Sequence, residues 1–179
     1  MSSNSLQGYL SESARRWPDR TAVVDPDGSA LTYRELDDRA ERVAAFLRSR
    51  GVKPGDRVGL VLPKGLAAVS AIFGILKARA AYVPVDYTAP PERNRTILRD
   101  CQVRVIFLDP RCVATLGDGP EALHRTATVV AVGTQGSSAL ETAVTWQEVL
   151  SHPTDGVRAE PTSGDLAYIL YTSGSTGVP

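Results

Sequence analysis

The sequence predicts an α/β fold, a mixed, largely parallel sheet flanked by helices. Three observations predict it. Short apolar strands alternate with helical stretches along most of the chain. One of the strands, Val58-Gly59-Leu60-Val61-Leu62, is apolar without interruption, which is the pattern of a strand covered on both faces. And the stretch from Thr32 to Gly51 carries a helix start, an apolar face and a helix stop in the right order.

Taken in order, Leu6 to Arg16 reads as a short helix that ends before the turn signal Trp17-Pro18-Asp19. Thr21-Ala22-Val23-Val24 and Ala30-Leu31-Thr32 read as the two strands of a hairpin around Asp25-Pro26-Asp27-Gly28. Thr32-Tyr33-Arg34-Glu35 fits a capping box, in which the hydroxyl accepts from an amide and the glutamate reaches back. Leu36, Ala40, Val43, Ala44 and Leu47 then fall on one helical face, and Gly51 stands at the stop. Lys53-Pro54-Gly55-Asp56 turns the chain into the strand Val58 to Leu62. An apolar helix follows from about Gly65 to Ala78, then a strand at Ala81 to Val85. Ala89-Pro90-Pro91 opens a polar helix over Glu92 to Asp100, with proline well placed in the first turn. Val103 to Leu108 and Thr128 to Val132 read as strands, Thr145 to Leu150 as a helical turn or two, and Leu166 to Tyr171 as a final strand. Gly133 to Ala139 and His152 to Gly164 read as loops. No internal repeat and no linker divides the chain.

The bulk properties exclude several function classes. Twenty basic residues balance twenty acidic ones, so nothing in the charge points to nucleic acid or an anionic membrane as a partner. Cys101 and Cys112 are too few for a disulfide framework and have no zinc-site spacing, so they read as reduced thiols. The first residues lack a basic segment and a long apolar core, unlike a secretory signal. The most apolar window, Leu66 to Ala80, contains Lys77 and Arg79 and is too short and too charged to span a membrane. A cytoplasmic protein is the expectation.

The chemistry concentrates in "YTSGSTGVP". Thr172-Ser173-Gly174-Ser175-Thr176-Gly177 follows an apolar strand-like run. Glycines let backbone amides approach an anion closely, and the hydroxyls add donors. Ligands of open α/β sheets also gather outside the carboxyl ends of strands. The segment has neither the Gly-x4-Gly-Lys-Ser/Thr spacing of the common triphosphatase loop nor GxGxxG. On these residues alone, a polar turn with no ligand stays open as the alternative.

The longer string "DLAYILYTSGSTGVP" resembles the phosphate-loop motif of the adenylate-forming superfamily. That group holds the adenylation domains of nonribosomal peptide synthetases, acyl- and aryl-CoA ligases and luciferases. "LTYRELDDRAERVAAFLRSRGVKPGDRVGLVLPKG" and "AIFGILKARAAYVPVDYTAPPERNRTILRDC" resemble two earlier blocks of the same family, in the correct order, so the likeness runs from about Leu10 to Pro179. Ala81 to Asp86, "AYVPVD", is more typical of the amino-acid-activating branch. "APPERNRTILRDC" most resembles freestanding enzymes that load an amino acid, proline among them, onto a carrier protein. Arg79-Ala80 departs from the glycines the family often has there, which puts the local backbone geometry in question.

The resemblance implies that residues 1–179 are the N-terminal portion of the large subdomain of an adenylation domain, with no second domain. It implies ATP as co-substrate, with Mg²⁺ bound mainly through the nucleotide phosphates. The implied reaction activates an amino acid as its adenylate and passes it to the phosphopantetheine thiol of a carrier protein. Thr172, Ser173, Gly174, Ser175, Thr176 and Gly177 would hold the β- and γ-phosphates. In the family the motif continues with Lys-Gly, and the substrate pocket, adenine site and catalytic lysine lie further on. The expected partners are therefore the remainder of the enzyme as a companion segment, the carrier protein and the amino acid, with a small accessory protein as a further candidate. A chain cut within this loop is the expected reason for an ending at Pro179, and residues 1–179 alone are expected to be inactive. A carboxylate–CoA ligase and a non-catalytic module are the alternatives.

Other residues attract attention without a motif. His124 and His152 have no paired carboxylate or cysteine nearby in sequence and read as solvated or structural. Asp86 reads as a turn or cap residue. Arg93, Arg95 and Arg99 read as a solvated helix face, with carrier-protein contact as the alternative. Tyr82 and Trp17 read as packing residues.

Overall fold

The computed structural model describes residues 5–117, 127–133, 140, 143–157, 161–162 and 164–172. The first elements fall where the sequence places them: α1 (Leu6–Arg16), then the antiparallel hairpin of β1 (Thr21–Val24) and β2 (Ala30–Thr32). Helix α2 (Tyr33–Ser49) starts on the predicted capping box. The Glu35 amide donates to Thr32 Oγ1 at 3.2 Å, and the Thr32 amide donates to the Glu35 carboxylate at 2.8 Å. All five residues of the predicted apolar face are buried.

The main sheet has five strands in the order β4-β3-β5-β6-β7, and every neighbouring pair is parallel. They are β3 (Arg57–Val61), β4 (Ala81–Pro84), β5 (Val105–Leu108), β6 (Thr128–Ala131) and β7 (Val144–Thr145). Helices α3 (Leu66–Lys77), α4 (Pro91–Asp100) and α5 (Trp146–Ser151) connect or follow them. Continuous apolarity in β3 does mean burial on both faces. Val58 and Leu60 join a core with α2 and α3, while Val61 joins a second core with Ile97 and Leu98 of α4. In β5, Val105 and Phe107 face the first core, and Ile106 and Leu108 face the second.

Two glycines set how closely the helices approach. A Cβ on Gly59 would come within 2.8 Å of Leu98 Cδ2, so β3 leaves α4 room on that face. A Cβ on Gly74 would lie 2.3 Å from Val43 Cγ1, so α2 and α3 pack through a glycine contact. Charge reinforces the same helix group. Lys77 is buried, yet its ammonium donates to Asp37 at 2.8 Å, Glu41 at 2.5 Å and Ser11 Oγ at 3.0 Å. A buried lysine with this set of acceptors joins α1, α2 and α3 rather than opposing burial. Asp25 ties the hairpin to α3, because the Leu66 amide donates to its carboxylate at 3.1 Å.

The structure corrects several readings. Leu166 to Tyr171 is not a full strand but makes one isolated parallel bridge, Tyr82↔Tyr168, on the outer side of β4. Only two backbone bonds hold it there, Tyr82 N to Ala167 O and Ile169 N to Tyr82 O, each 3.1 Å, which is too short a ladder for a strand. A 3-10 helix over Pro110–Leu116 and the two-residue β7 were not foreseen. The first carries its own signal, Asp109 before Pro110, and the Asp109 carboxylate accepts from the Arg111 amide at 2.8 Å. Trp17, read as a packing residue, is 39% exposed and packs at the surface, where Arg16 and Arg20 lie over its ring at 4.7 and 5.8 Å as a cation–π contact. Residues 134–139, within the predicted loop Gly133 to Ala139, and His124 lie outside the described residues.

Substituting Gly74→Ala is expected to lower unfolding free energy by about 1–3 kcal/mol through overpacking against Val43. A urea melt that leaves the midpoint unchanged would show that α2 and α3 can separate without cost.

Candidate functional site

The candidate site is reached along the segment from Asp165 to Thr172. Its bridge to β4 is parallel, so its carboxyl end points the same way as the carboxyl ends of the sheet strands. Thr172 therefore leaves the sheet at the carboxyl edge, where α/β proteins collect ligands. Thr172 is exposed. Ser173, Gly174, Ser175, Thr176 and Gly177 lie outside the described residues.

Side-chain contacts at three points hold this approach. At its start, Arg79 grips Asp165 with two parallel bonds, Nε to Oδ2 at 2.7 Å and Nη2 to Oδ1 at 2.9 Å. The Thr162 hydroxyl and amide also donate to Asp165, at 2.7 and 3.1 Å. These bonds, Arg79 first, hold the Asp165 carboxyl well below the usual carboxylate range, against a smaller opposing effect of burial. In the middle, the Tyr168 ring lies against Tyr82 with centroids 5.5 Å apart. At its end, the Tyr171 phenol donates to Asp100, and Arg93 Nη2 donates to the Tyr171 carbonyl at 3.4 Å. The bond to Asp100, followed by burial, pushes the Tyr171 phenol up.

Burial alternates along the segment. Ile169 and Tyr171 pack against the core that contains α4, whereas Leu166, Tyr168 and Leu170 are 58%, 49% and 60% exposed. Half of a strand pattern is thus satisfied, and the other half forms an apolar face that is about half or more exposed, with Tyr82 covering one side of Tyr168.

The remaining sequence candidates fall as follows. Asp86 is a turn residue, accepting from the Thr88 amide at 2.8 Å and hydroxyl at 2.7 Å. Tyr82 borders the core as expected. His152 is structural, edge-on to Phe46 at 5.9 Å. The arginines of α4 are not one solvated face. Arg93 serves Tyr171, Arg95 pairs with Glu92 and donates to the Leu116 carbonyl, and Arg99 is exposed. Cys101 and Cys112 are buried free thiols, and burial pushes the Cys112 thiol up, away from reactivity. Among the described residues no group of three or more His, Cys, Asp or Glu could hold a metal ion. None of the described helices is long and apolar enough to cross a membrane.

Sequence reading missed the Arg79–Asp165 and Tyr171–Asp100 contacts. Arg79 did stand out as a departure from glycine, but its partner lies 86 positions away and no spacing rule connects them.

Solved structures share the fold. The anthranilate CoA ligase AuaEII in complex with anthranoyl-AMP superposes with a TM-score of 0.85 at 24% identity, covering 99% of this chain and 33% of that one. The N-terminal subdomain of Klebsiella oxytoca NpsA gives 0.72 at 22% identity, covering all of this chain and 41% of the other. The fold is thus that of adenylate-forming ligases.

Residues 10–179 match the AMP-binding enzyme family, and the chain belongs to it. It is 40% identical to bacitracin synthase 1 of Bacillus licheniformis over 175 residues, which is 97% of this chain and 3% of that protein. It is 39% identical to the phosphinothricin tripeptide synthetase PhsC of Streptomyces viridochromogenes over 174 residues, 97% of this chain and 15% of that one. The chain therefore spans only a small fraction of the curated relatives it matches.

Because the folded Asp165 carboxyl titrates below its unfolded value, its contribution to stability is complete above about pH 4 and fades as the pH falls further. The stability deficit of Asp165→Asn is expected to stay constant from about pH 8 to about pH 5 and to shrink below about pH 4. A deficit that grows on acidification in a denaturant series would contradict the assigned sign.

Proposed function

We propose that this chain is the front portion of an enzyme that activates an amino acid with ATP and passes it to the phosphopantetheine thiol of a carrier protein. The observation that carries this reading is the match of 97% of this chain to a small part of two peptide synthetases at 40% and 39% identity, set against 24% for the anthranilate CoA ligase. The substrate carboxylate attacks the α-phosphorus of ATP, the bond to the bridging oxygen breaks, and pyrophosphate leaves. The carrier thiol, losing its proton, then attacks the acyl carbon and AMP leaves.

The part assigned to this chain is electrostatic. Thr172, Ser173, Gly174, Ser175, Thr176 and Gly177 hold the β- and γ-phosphates through hydroxyls and backbone amides. They orient pyrophosphate as leaving group and offset the charge it gains. Mg²⁺ would arrive with the nucleotide, held through its phosphates. The described residues offer it no cluster of three or more carboxylates, imidazoles or thiols. The exposed face of Leu166, Tyr168 and Leu170 supports a companion segment of the same enzyme packing beside the bridge to β4. An accessory protein would be a different occupant of that face.

A carboxylate–CoA ligase is the second reading, favoured by the TM-score of 0.85 with the anthranilate enzyme. Amino-acid-dependent ATP–pyrophosphate exchange by an enzyme carrying this chain as its front portion separates the two. Exchange with amino acids is expected, and exchange confined to aryl or fatty acids would reject the proposal. Residues 1–179 alone are expected to form no acyl-adenylate. In the whole enzyme, Thr172→Ala is expected to lower kcat/KM for ATP by about 100- to 1,000-fold, the range for removing a donor to a developing anion.

A further inference from the structure

We propose that Arg79 is a positioning residue, whose guanidinium fork sets the register of the Asp165–Thr172 segment on β4 and so aims Thr172 at the nucleotide. The inference rests on the proposed function only for its last clause.

The backbone supplies the first argument. Arg79 has φ 60°, in the left-handed region where glycine is at ease and a long side chain is disfavoured. A residue held there needs something to hold it. Its backbone is pinned on both sides, since the Arg79 amide donates to the Leu76 carbonyl at 3.0 Å and its carbonyl accepts from Gly55 at 2.8 Å. The fork therefore projects from a fixed point at the start of β4.

The side chain supplies the second. The two bonds to Asp165 are short and parallel, and both partners are mostly shielded, at 24% and 20% side-chain exposure. Bidentate pairing fixes orientation as well as distance, which lysine cannot do. Within the approaching chain, the Thr162 amide and hydroxyl donate to the Asp165 carboxylate and orient it for the fork.

The third argument is register. Beyond Asp165 only two backbone bonds tie the segment to β4. A slip of one residue would turn Ile169 and Tyr171 out of the core and bring Leu170 inward. Tyr171 pins the far end through Asp100, and Arg79 pins the near end, so the segment is stretched between two fixed points.

The test uses Arg79→Gly, Arg79→Lys, Asp165→Asn and the double variant Arg79→Gly with Asp165→Asn. In the whole enzyme, hydrogen exchange at the Ile169 and Tyr82 amides is expected to accelerate about tenfold in each single variant, with Phe107 in β5 unchanged. The double variant is expected to match the singles, because both remove one interaction. In the whole enzyme, KM for ATP is expected to rise about tenfold, with KM for the amino acid unchanged. Unchanged Ile169 exchange, equal acceleration at Phe107, additive effects in the double variant, or loss of kcat alone would each overturn the proposal. Wild-type enzyme with no ATP–pyrophosphate exchange would overturn the proposed function instead, while the Ile169 readout still judges the clamp.

Discussion

Everything in this structure depends on a parallel sheet whose two faces must both be covered. Val58 and Leu60 point to one core and Val61 to the other, and Val105 to Leu108 divide the same way. A sheet of this kind cannot leave a face to water, so the connections that carry α3 and α4 climb back over its two faces as helices. Crossover connections bring all the strand carboxyl ends to one edge. That edge is where Thr172 emerges, so the constraint that builds the core also locates the candidate site.

Helix packing on that sheet is tight enough to read in single atoms. Gly74 lets α3 touch α2 at Val43, and Gly59 lets Leu98 reach β3. Lys77 shows how charge is admitted to such a place. It is buried among α1, α2 and α3, with two carboxylates and a hydroxyl around the ammonium. The functional segment contrasts with this scaffold. Its hold on the scaffold is two backbone bonds and an aromatic contact to β4, an ion pair to Arg79 at one end and a phenol bond to Asp100 of α4 at the other. Such an attachment can be precise in register while contributing little to the global fold.

Much of the scaffold was legible in sequence because its signals are local. The capping box at Thr32, the apolar face of α2 and the hairpin around Asp25-Pro26-Asp27-Gly28 each lie within a few residues of what they specify. Legibility ended where the information is shared between distant residues. Leu166 to Tyr171 has the composition of a strand, but a strand needs a ladder, and its two backbone bonds to β4 both go to Tyr82. Trp17 has the composition of a core residue, yet Arg16 and Arg20 hold it at the surface. The arginines of α4 look alike in sequence, and only the fold brings Arg93 to the Tyr171 carbonyl. Arg79 was visible as an anomaly and not as a contact. The loop itself was recognised through its resemblance to a family motif, since a run of glycines and hydroxyls alone is compatible with a plain turn.

The central claim is that Thr172 to Gly177 hold the β- and γ-phosphates of ATP. A crystal structure of the whole enzyme with a non-hydrolysable ATP analogue tests it directly. The account predicts β- and γ-phosphate oxygens within about 3 Å of the hydroxyls and amides of this run, including Thr172 Oγ1. Phosphates bound elsewhere, with Thr172 to Gly177 making no contact to them, would contradict it.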